Sequence, residues 1–282
     1  MRCVGNASRR RIRAVPWSDV GVVPGALDPM MRRRIPAQPR IDAPRPAQRV
    51  QEDEHGARIL AIATMRVFTN LSRAVSFPDY DFASHRFEVR PGIRLHYLDE
   101  GPRGGEVVVA LHGNPSWSYY WRHLVHGLRD RYRVIVPDHV GMGLSDKPDD
   151  ADDALPRYDY TLQSRVDDIG ALLAHLGIDG PLSLAVHDWG GMIGFGWALA
   201  APERVRRLVV LNTAAFPMPA GKPMPWQIAL GRDYHVGELV IRGFNAFSAG
   251  ASHFGVERRM PREVRRAYVA PYDSWRNRIA TV

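Results

Sequence analysis

The chain has 282 residues, 45% of them hydrophobic, which suits one large domain or two small ones with a sizeable core. Its one cysteine, Cys3, excludes a disulfide framework or a cysteine-built metal site within the chain, and no apolar run approaches the length of a membrane span. The net charge of +8 is uneven: residues 1–64 carry +6, from twelve arginines against six acidic residues, and the remainder carries only +2.

Residues 1–64 hold seven prolines, the clusters "SRRRIR" and "MRRRIP", no lysine and no sustained period of 2 or 3.6. That composition predicts a disordered Arg/Pro-rich extension. The whole chain has only two lysines, Lys147 and Lys222, so the arginine bias reads as codon usage before it reads as a partner. A secretory signal is excluded, because "AVPWSD" after "RRRIR" is too short and broken for an apolar core region. A mitochondrial transit peptide fits the acid-free first 18 residues only until Pro16 interrupts the helix. Charge alone would allow a nucleic-acid-binding arm, with salt-dependent affinity as its mark. The simpler expectation is an over-long start, with "MRVFTNLSRAVSFPDYDF" from Met65 as the natural beginning, no nucleic-acid partner and a cytoplasmic location.

From Ser84 the chain becomes regular. "HRFEV" and "IRLHYLDEG" read as two strands around the turn "RPG", and "EVVVALHG" (106–113) as a buried strand. "SWSYYWRHLVHGLRD" has helical spacing, with Ser116 as the expected N-cap. "YRVIVPD" is the next strand. "YTLQSRVDDIGALLAHLGI" is the clearest helix: Leu162, Val166, Ile169, Leu172, Leu173 and Leu176 form its apolar stripe, Thr161 caps it and Gly177 ends it. "LSLAVH" is a strand, "WGGMIGFGWALA" a helix and "VRRLVVLN" a last strand. Apolar strands alternating with helices predict an α/β fold, a mostly parallel sheet covered on both faces. Residues 215–282 change style, with Pro-rich loops and the helical pieces "WQIALGR", "VGELVIRGF", "REVRRAYV" and "YDSWRNRIA". The expected organisation is an extension (1–64), a core (65–214) and a helical cap (215–282).

Ligands of open α/β sheets bind beyond the carboxyl ends of the strands. Two such ends carry chemistry: "HDWGG" around Asp188, and "HGNPSWSYYWR" (112–122). Asp188 would serve as an ordinary helix N-cap in most proteins. Gly190 and Gly191 behind it suggest instead a sharp strand-to-helix corner that pushes the side chain into a pocket. An ionised carboxylate there is a nucleophile that needs no proton removed, and it can displace a leaving group from a saturated carbon to form an ester. Trp189 and Asn114 stand where the two backbone donors of such a corner are expected. Their side chains add an indole N–H and an amide NH₂, two neutral donors for a departing anion.

"LHGNPSWSYYWR", "VPDHVGMGLSDKP", "AVHDWGGMIG" and "LVVLNTAAFPMP" resemble the haloalkane dehalogenase branch of the α/β-hydrolase superfamily, over roughly residues 80–282. Epoxide hydrolases share the Asp-Trp corner but usually have an aromatic residue in place of Asn114, and serine esterases lack the aspartate. The resemblance implies an α/β-hydrolase fold with a helical cap, Asp188 as nucleophile, Asn114 and Trp189 holding the halide or its equivalent, no cofactor, no metal, and a small apolar substrate. The cap stretches "NTAAFPMPAGKPMPW", "IRGFNAFSAGAS" and "YVAPYDSWRNRIAT" are similar to a subgroup that includes β-lactone decarboxylases of olefin biosynthesis. Dehalogenation is the main expectation and lactone decarboxylation, giving an alkene and CO₂, the alternative. A catalytically dead small-molecule-binding protein is the reading from another class.

Hydrolysis of an ester on Asp188 needs a histidine base held by an acid, and the superfamily order is nucleophile, acid, histidine. Some dehalogenases place the acid after the strand that ends here in Asn212, and asparagine cannot act as a carboxylate. The seventh and eighth strands that would bring an acid and the histidine do not occur in the sequence, which predicts a truncated chain with a first covalent step but no steady turnover. His112, His139, His187, His235 and His253 are expected to be structural, with His187 facing away from Asp188. "VRRLVVLN" would then become an exposed apolar sheet edge, an aggregation hazard.

Overall fold

The computed structural model describes residues 77–149, 155–213 and 235–282, all within a unit running from Arg66 to Val282. The extension 1–64 and the expected helix "WQIALGR" lie outside the described residues.

Six strands form one sheet: β1 (His85–Arg90), β2 (Ile93–Glu100), β3 (Glu106–Leu111), β4 (Tyr132–Pro137), β5 (Leu182–His187) and β6 (Val205–Leu211), in the order β1-β2-β4-β3-β5-β6. β1 and β2 are an antiparallel hairpin, β2 runs antiparallel to β4, and β4, β3, β5 and β6 are parallel. Alternation along β3 sends Val109 and Leu111 to one face and Ala110 to the other. The first face packs on α2 (Leu162–His175) and α3 (Trp189–Ala200) through Ile169, Leu172, Ile193 and Trp197. The second packs on α1 (Arg122–Leu128) through Val125 and the neighbouring Trp121. Helices therefore cover both faces, as the unbroken apolar strands require.

Thr161 caps α2 by accepting the Ser164 N–H at 3.2 Å, and Gly177 follows the helix at φ +61°. The start of α1 differs from expectation. A 3₁₀ turn, Ser118–Trp121, precedes it, and Ser116 caps nothing; its hydroxyl donates to Gly113 O at 3.1 Å. The Ser118 N–H instead donates to the buried Asp138 carboxylate at 2.6 Å. A carboxylate twenty residues away supplies the acceptor that the local serine was expected to provide.

The cap consists of α4 (His235–Phe244), α5 (Ala246–Phe254) and α6 (Arg262–Val269), followed by 3₁₀ turns at Ala270–Tyr272 and Arg276–Thr281. The last segment was expected to be one helix. Arg278 breaks the expectation by reaching back to the carbonyls of Tyr272, Arg242 and Gly243, which ties the segment to α4 instead of letting it wind on itself. β6 is one of the sheet's two edge strands among the described residues, and Leu208, Val210 and Leu211 are exposed there.

Candidate active site

β5 delivers Asp188 to the corner and α3 begins one residue later. The corner is tight: Asp188 has φ +52°, a conformation that costs a non-glycine residue energy and marks functional positions. A Cβ on Gly190 would lie 2.2 Å from Leu111 O, so only glycine lets α3 start against β3. The Asp188 side chain makes no capping bond to α3, which rules out the ordinary N-cap role. Its Oδ1 accepts the Asn114 backbone N–H at 2.8 Å. Gly113 is equally constrained, since a Cβ there would sit 2.2 Å from Asp188 Oδ1.

The Asn114 N–H is aimed by the peptide before it. Gly113 O accepts from His112 Nδ1 at 2.9 Å and from Ser116 Oγ at 3.1 Å. A trans peptide points its N–H opposite its C=O, so pinning that oxygen directs the Asn114 N–H at Asp188. His112 Nε2 accepts the His139 backbone N–H at 3.1 Å, and the His139 ring donates back to His112 O at 3.1 Å. Both rings are buried. Burial pushes the pKa of His112 down and that of His139 far down, so each is a neutral, fixed tautomer. Asp138 anchors the adjoining loops by accepting from His96 Nδ1 at 2.9 Å, Ser118 N–H and Leu144 N–H. Burial raises its pKa, but those hydrogen bonds and the neighbouring imidazoles outweigh burial and hold it below the usual carboxylate value.

Two cavities meet at Asn114. The larger, about 520 Å³, is lined by Asp188, Asn114, Tyr120 and His187 from the core and by Ser248 and Tyr268 from the cap. The smaller, about 130 Å³, is lined by Asn114, Trp189, Arg165, His139, Tyr160 and Ala280 among others. Asn114 and Trp189 thus share a cavity. The Asn114 amide differs from expectation: its Nδ2 donates to Ala280 O at 3.1 Å and its Oδ1 is buried without a partner. The cap segment has captured the donor foreseen for the anion. Trp189 is 41% exposed and therefore no core residue.

His187 also departs from expectation. It borders the Asp188 cavity and stacks on Tyr120 with centroids 4.4 Å apart, because the cavity wraps around the end of β5 towards Leu211 and Asn212. Burial lowers its pKa, with Asp188 opposing more weakly. Among the described residues no histidine is hydrogen-bonded to the Asp188 carboxylate; the exposed His253 ring is engaged with Ala249 O and Arg265 in the cap. The residue that sequence reasoning passed over is Arg165. It falls in phase with Ile169 and Leu172 on the buried face of α2, and a charge on an apolar stripe was the available signal.

A mostly parallel apolar sheet, a strained aspartate at the end of an interior strand and a helical cap define one class of protein. The chain belongs to the α/β-hydrolase fold family, whose pattern matches residues 106–250. Within it, the chain is an enzyme of the haloalkane dehalogenase and β-lactone decarboxylase type. It is 71% identical over 208 residues to a cis-3-alkyl-4-alkyloxetan-2-one decarboxylase of Xanthomonas campestris, covering 74% of this chain and 69% of that protein. A protein of the same name from Shewanella oneidensis is 53% identical, over 70% of this chain and 60% of that one. A haloalkane dehalogenase of Mycolicibacterium paratuberculosis is 37% identical, over 71% and 64%. Among solved structures, the haloalkane dehalogenase DbeA from Bradyrhizobium elkani superposes with a TM-score of 0.60 at 28% identity, covering 71% of this chain and 67% of that one. The chain spans about 60–69% of the length of these curated relatives.

Proposed function

We propose that Asp188 is the nucleophile of a β-lactone decarboxylase, the alternative and not the main expectation from the sequence. The observation that carries the substrate class is the 71% identity to an oxetan-2-one decarboxylase, against 37% to a haloalkane dehalogenase. The corner supports the nucleophile: a carboxylate that caps nothing, bordering a cavity of about 520 Å³ with one oxygen held by a backbone N–H.

The route begins with attack of an Asp188 oxygen on the saturated ring carbon that bears the lactone oxygen. The C–O ring bond breaks and its electron pair leaves on a carboxylate. The bond from that carboxylate to the adjacent carbon then breaks and its pair forms the alkene, while the ester C–O bond returns its pair to Asp188. The products are CO₂ and an alkene, and no proton or water is consumed. The base expected from hydrolase logic belongs to ester hydrolysis; this route does not use one. Gas-phase detection of the alkene from a cis-3-alkyl-4-alkyloxetan-2-one, parallel to a halide-release assay on a 1-haloalkane, tests the reading. Halide release without alkene formation overturns it.

A further inference from the structure

The smaller cavity contains a buried cation. Arg165 is only 5% exposed. Among the described residues its guanidinium makes one hydrogen bond, from Nη1 to Val140 O at 3.1 Å, and it lies over the Tyr160 ring, 5.6 Å from its centroid. The nearest acid on its helix, Asp168, is taken by Arg90 Nε at 2.9 Å and by the Tyr158 hydroxyl at 2.6 Å. No carboxylate among the described residues forms an ion pair with Arg165. Of the other ionisable groups on the cavity wall, His139 is held neutral by its burial, Tyr160 donates its hydroxyl to Pro148 O, and Val282, which ends the sequence, borders the cavity without an ion pair to Arg165 among the described residues. A buried cation that no carboxylate pairs directly is costly, and five guanidinium N–H groups with one hydrogen-bond acceptor among the described residues leave donors to spare.

We propose that Arg165 is a specificity-determining residue that receives a substrate carboxylate, the group released when the lactone ring opens. This rests on the β-lactone reading of Asp188. Three features of the cavity support it. Asn114 borders both this cavity and that of Asp188, so the two spaces adjoin at the reacting corner. The Asn114 amide is committed to Ala280 O, which leaves the Trp189 indole and the Arg165 guanidinium as the wall's available donors. A guanidinium matches a carboxylate through two parallel N–H···O bonds, whereas a halide ion offers a single centre. The leaving carboxylate forms as the ring C–O bond breaks, and a cation at that place stabilises the opening step.

The test uses the full 282-residue chain, with decanoate as a stable carboxylate probe and decanamide as its uncharged counterpart, their affinities read by quenching of tryptophan fluorescence. Arg165→Gln should weaken decanoate by about 10- to 100-fold, the range for a lost charged hydrogen-bonding partner, and leave decanamide within about threefold. Arg165→Lys, which keeps the charge and loses the two-pronged fork, should recover only part of the loss. Unchanged decanoate affinity in Arg165→Gln overturns the proposal. So does an equal loss for decanoate and decanamide, the mark of a merely structural strut to Val140. Alkene formation assayed on the same wild-type sample separates the two claims. Alkene with Arg165-independent decanoate binding removes only the role of Arg165. Arg165-dependent decanoate binding without alkene removes only the decarboxylase reading.

Discussion

The two cavities that meet at Asn114 were unequally visible. The larger is built around a corner whose parts are contiguous: Asp188, Gly190 and the start of α3 lie within three residues, and the glycine pattern announces them. The smaller gathers Arg165 from α2, His139 from the loop after β4, Trp189 from α3 and Ala280 from the cap, positions spread over more than a hundred residues. A site made by local backbone geometry writes a motif; a site made by packing distant elements does not.

Removing the reactive group should separate the cavities most sharply. Asp188→Asn keeps shape and removes the nucleophile, so alkene formation should fall by at least about 10³-fold, with decanoate binding retained. Comparable activity in this variant would place the chemistry elsewhere. The frame shared by both cavities comes next. Asp138→Ala removes an acceptor from two backbone N–H groups and the His96 ring, and denaturant unfolding should show a loss of about 3–5 kcal/mol. A loss below about 1 kcal/mol would mean the loops hold themselves.

Acid should act on the same frame. His112 and His139 have pKa values lowered from 6.5 in the folded protein, so the unfolded chain binds more protons below that pH. Stability from these groups is present above about pH 6.5 and lost as the pH falls through and below it, at up to about 1.4 kcal/mol per pH unit for each histidine. Melting temperatures from pH 8 to 5 should fall accordingly, and His139→Asn should flatten the slope. The smallest expected effect lies away from both cavities. Val210→Lys on the exposed edge strand should change stability by less than about 0.5 kcal/mol while reducing concentration-dependent self-association in light scattering.

Much of the architecture was legible because it follows from short-range rules. The bounds of β5, α3 and α6 coincide with the runs "LSLAVH", "WGGMIGFGWALA" and "REVRRAYV", and Thr161 caps α2 as its position predicts. Failures arose where a distant group displaced a local one. Asp138 took the capping role expected of Ser116, Arg278 unwound the expected last helix, and Ala280 took the Asn114 amide. His187 was placed by strand alternation alone, which does not register a cavity that curves around a strand end.

β5 and β6 illustrate the same boundary, since both are apolar-rich and pair in parallel, in unbroken register from Ser183–Arg207 to His187–Leu211. β5 is buried between β3 and β6; β6, with one neighbour, exposes Leu208 and Val210. By itself the sequence determined the strands, most of the helices and the tight corner at Asp188, because periodicity, glycine and capping act within a few residues. Only the tertiary structure decided which strand lies at the edge, which acceptor the Asn114 amide meets and that Arg165 faces a cavity, because these depend on side chains brought together from distant parts of the chain.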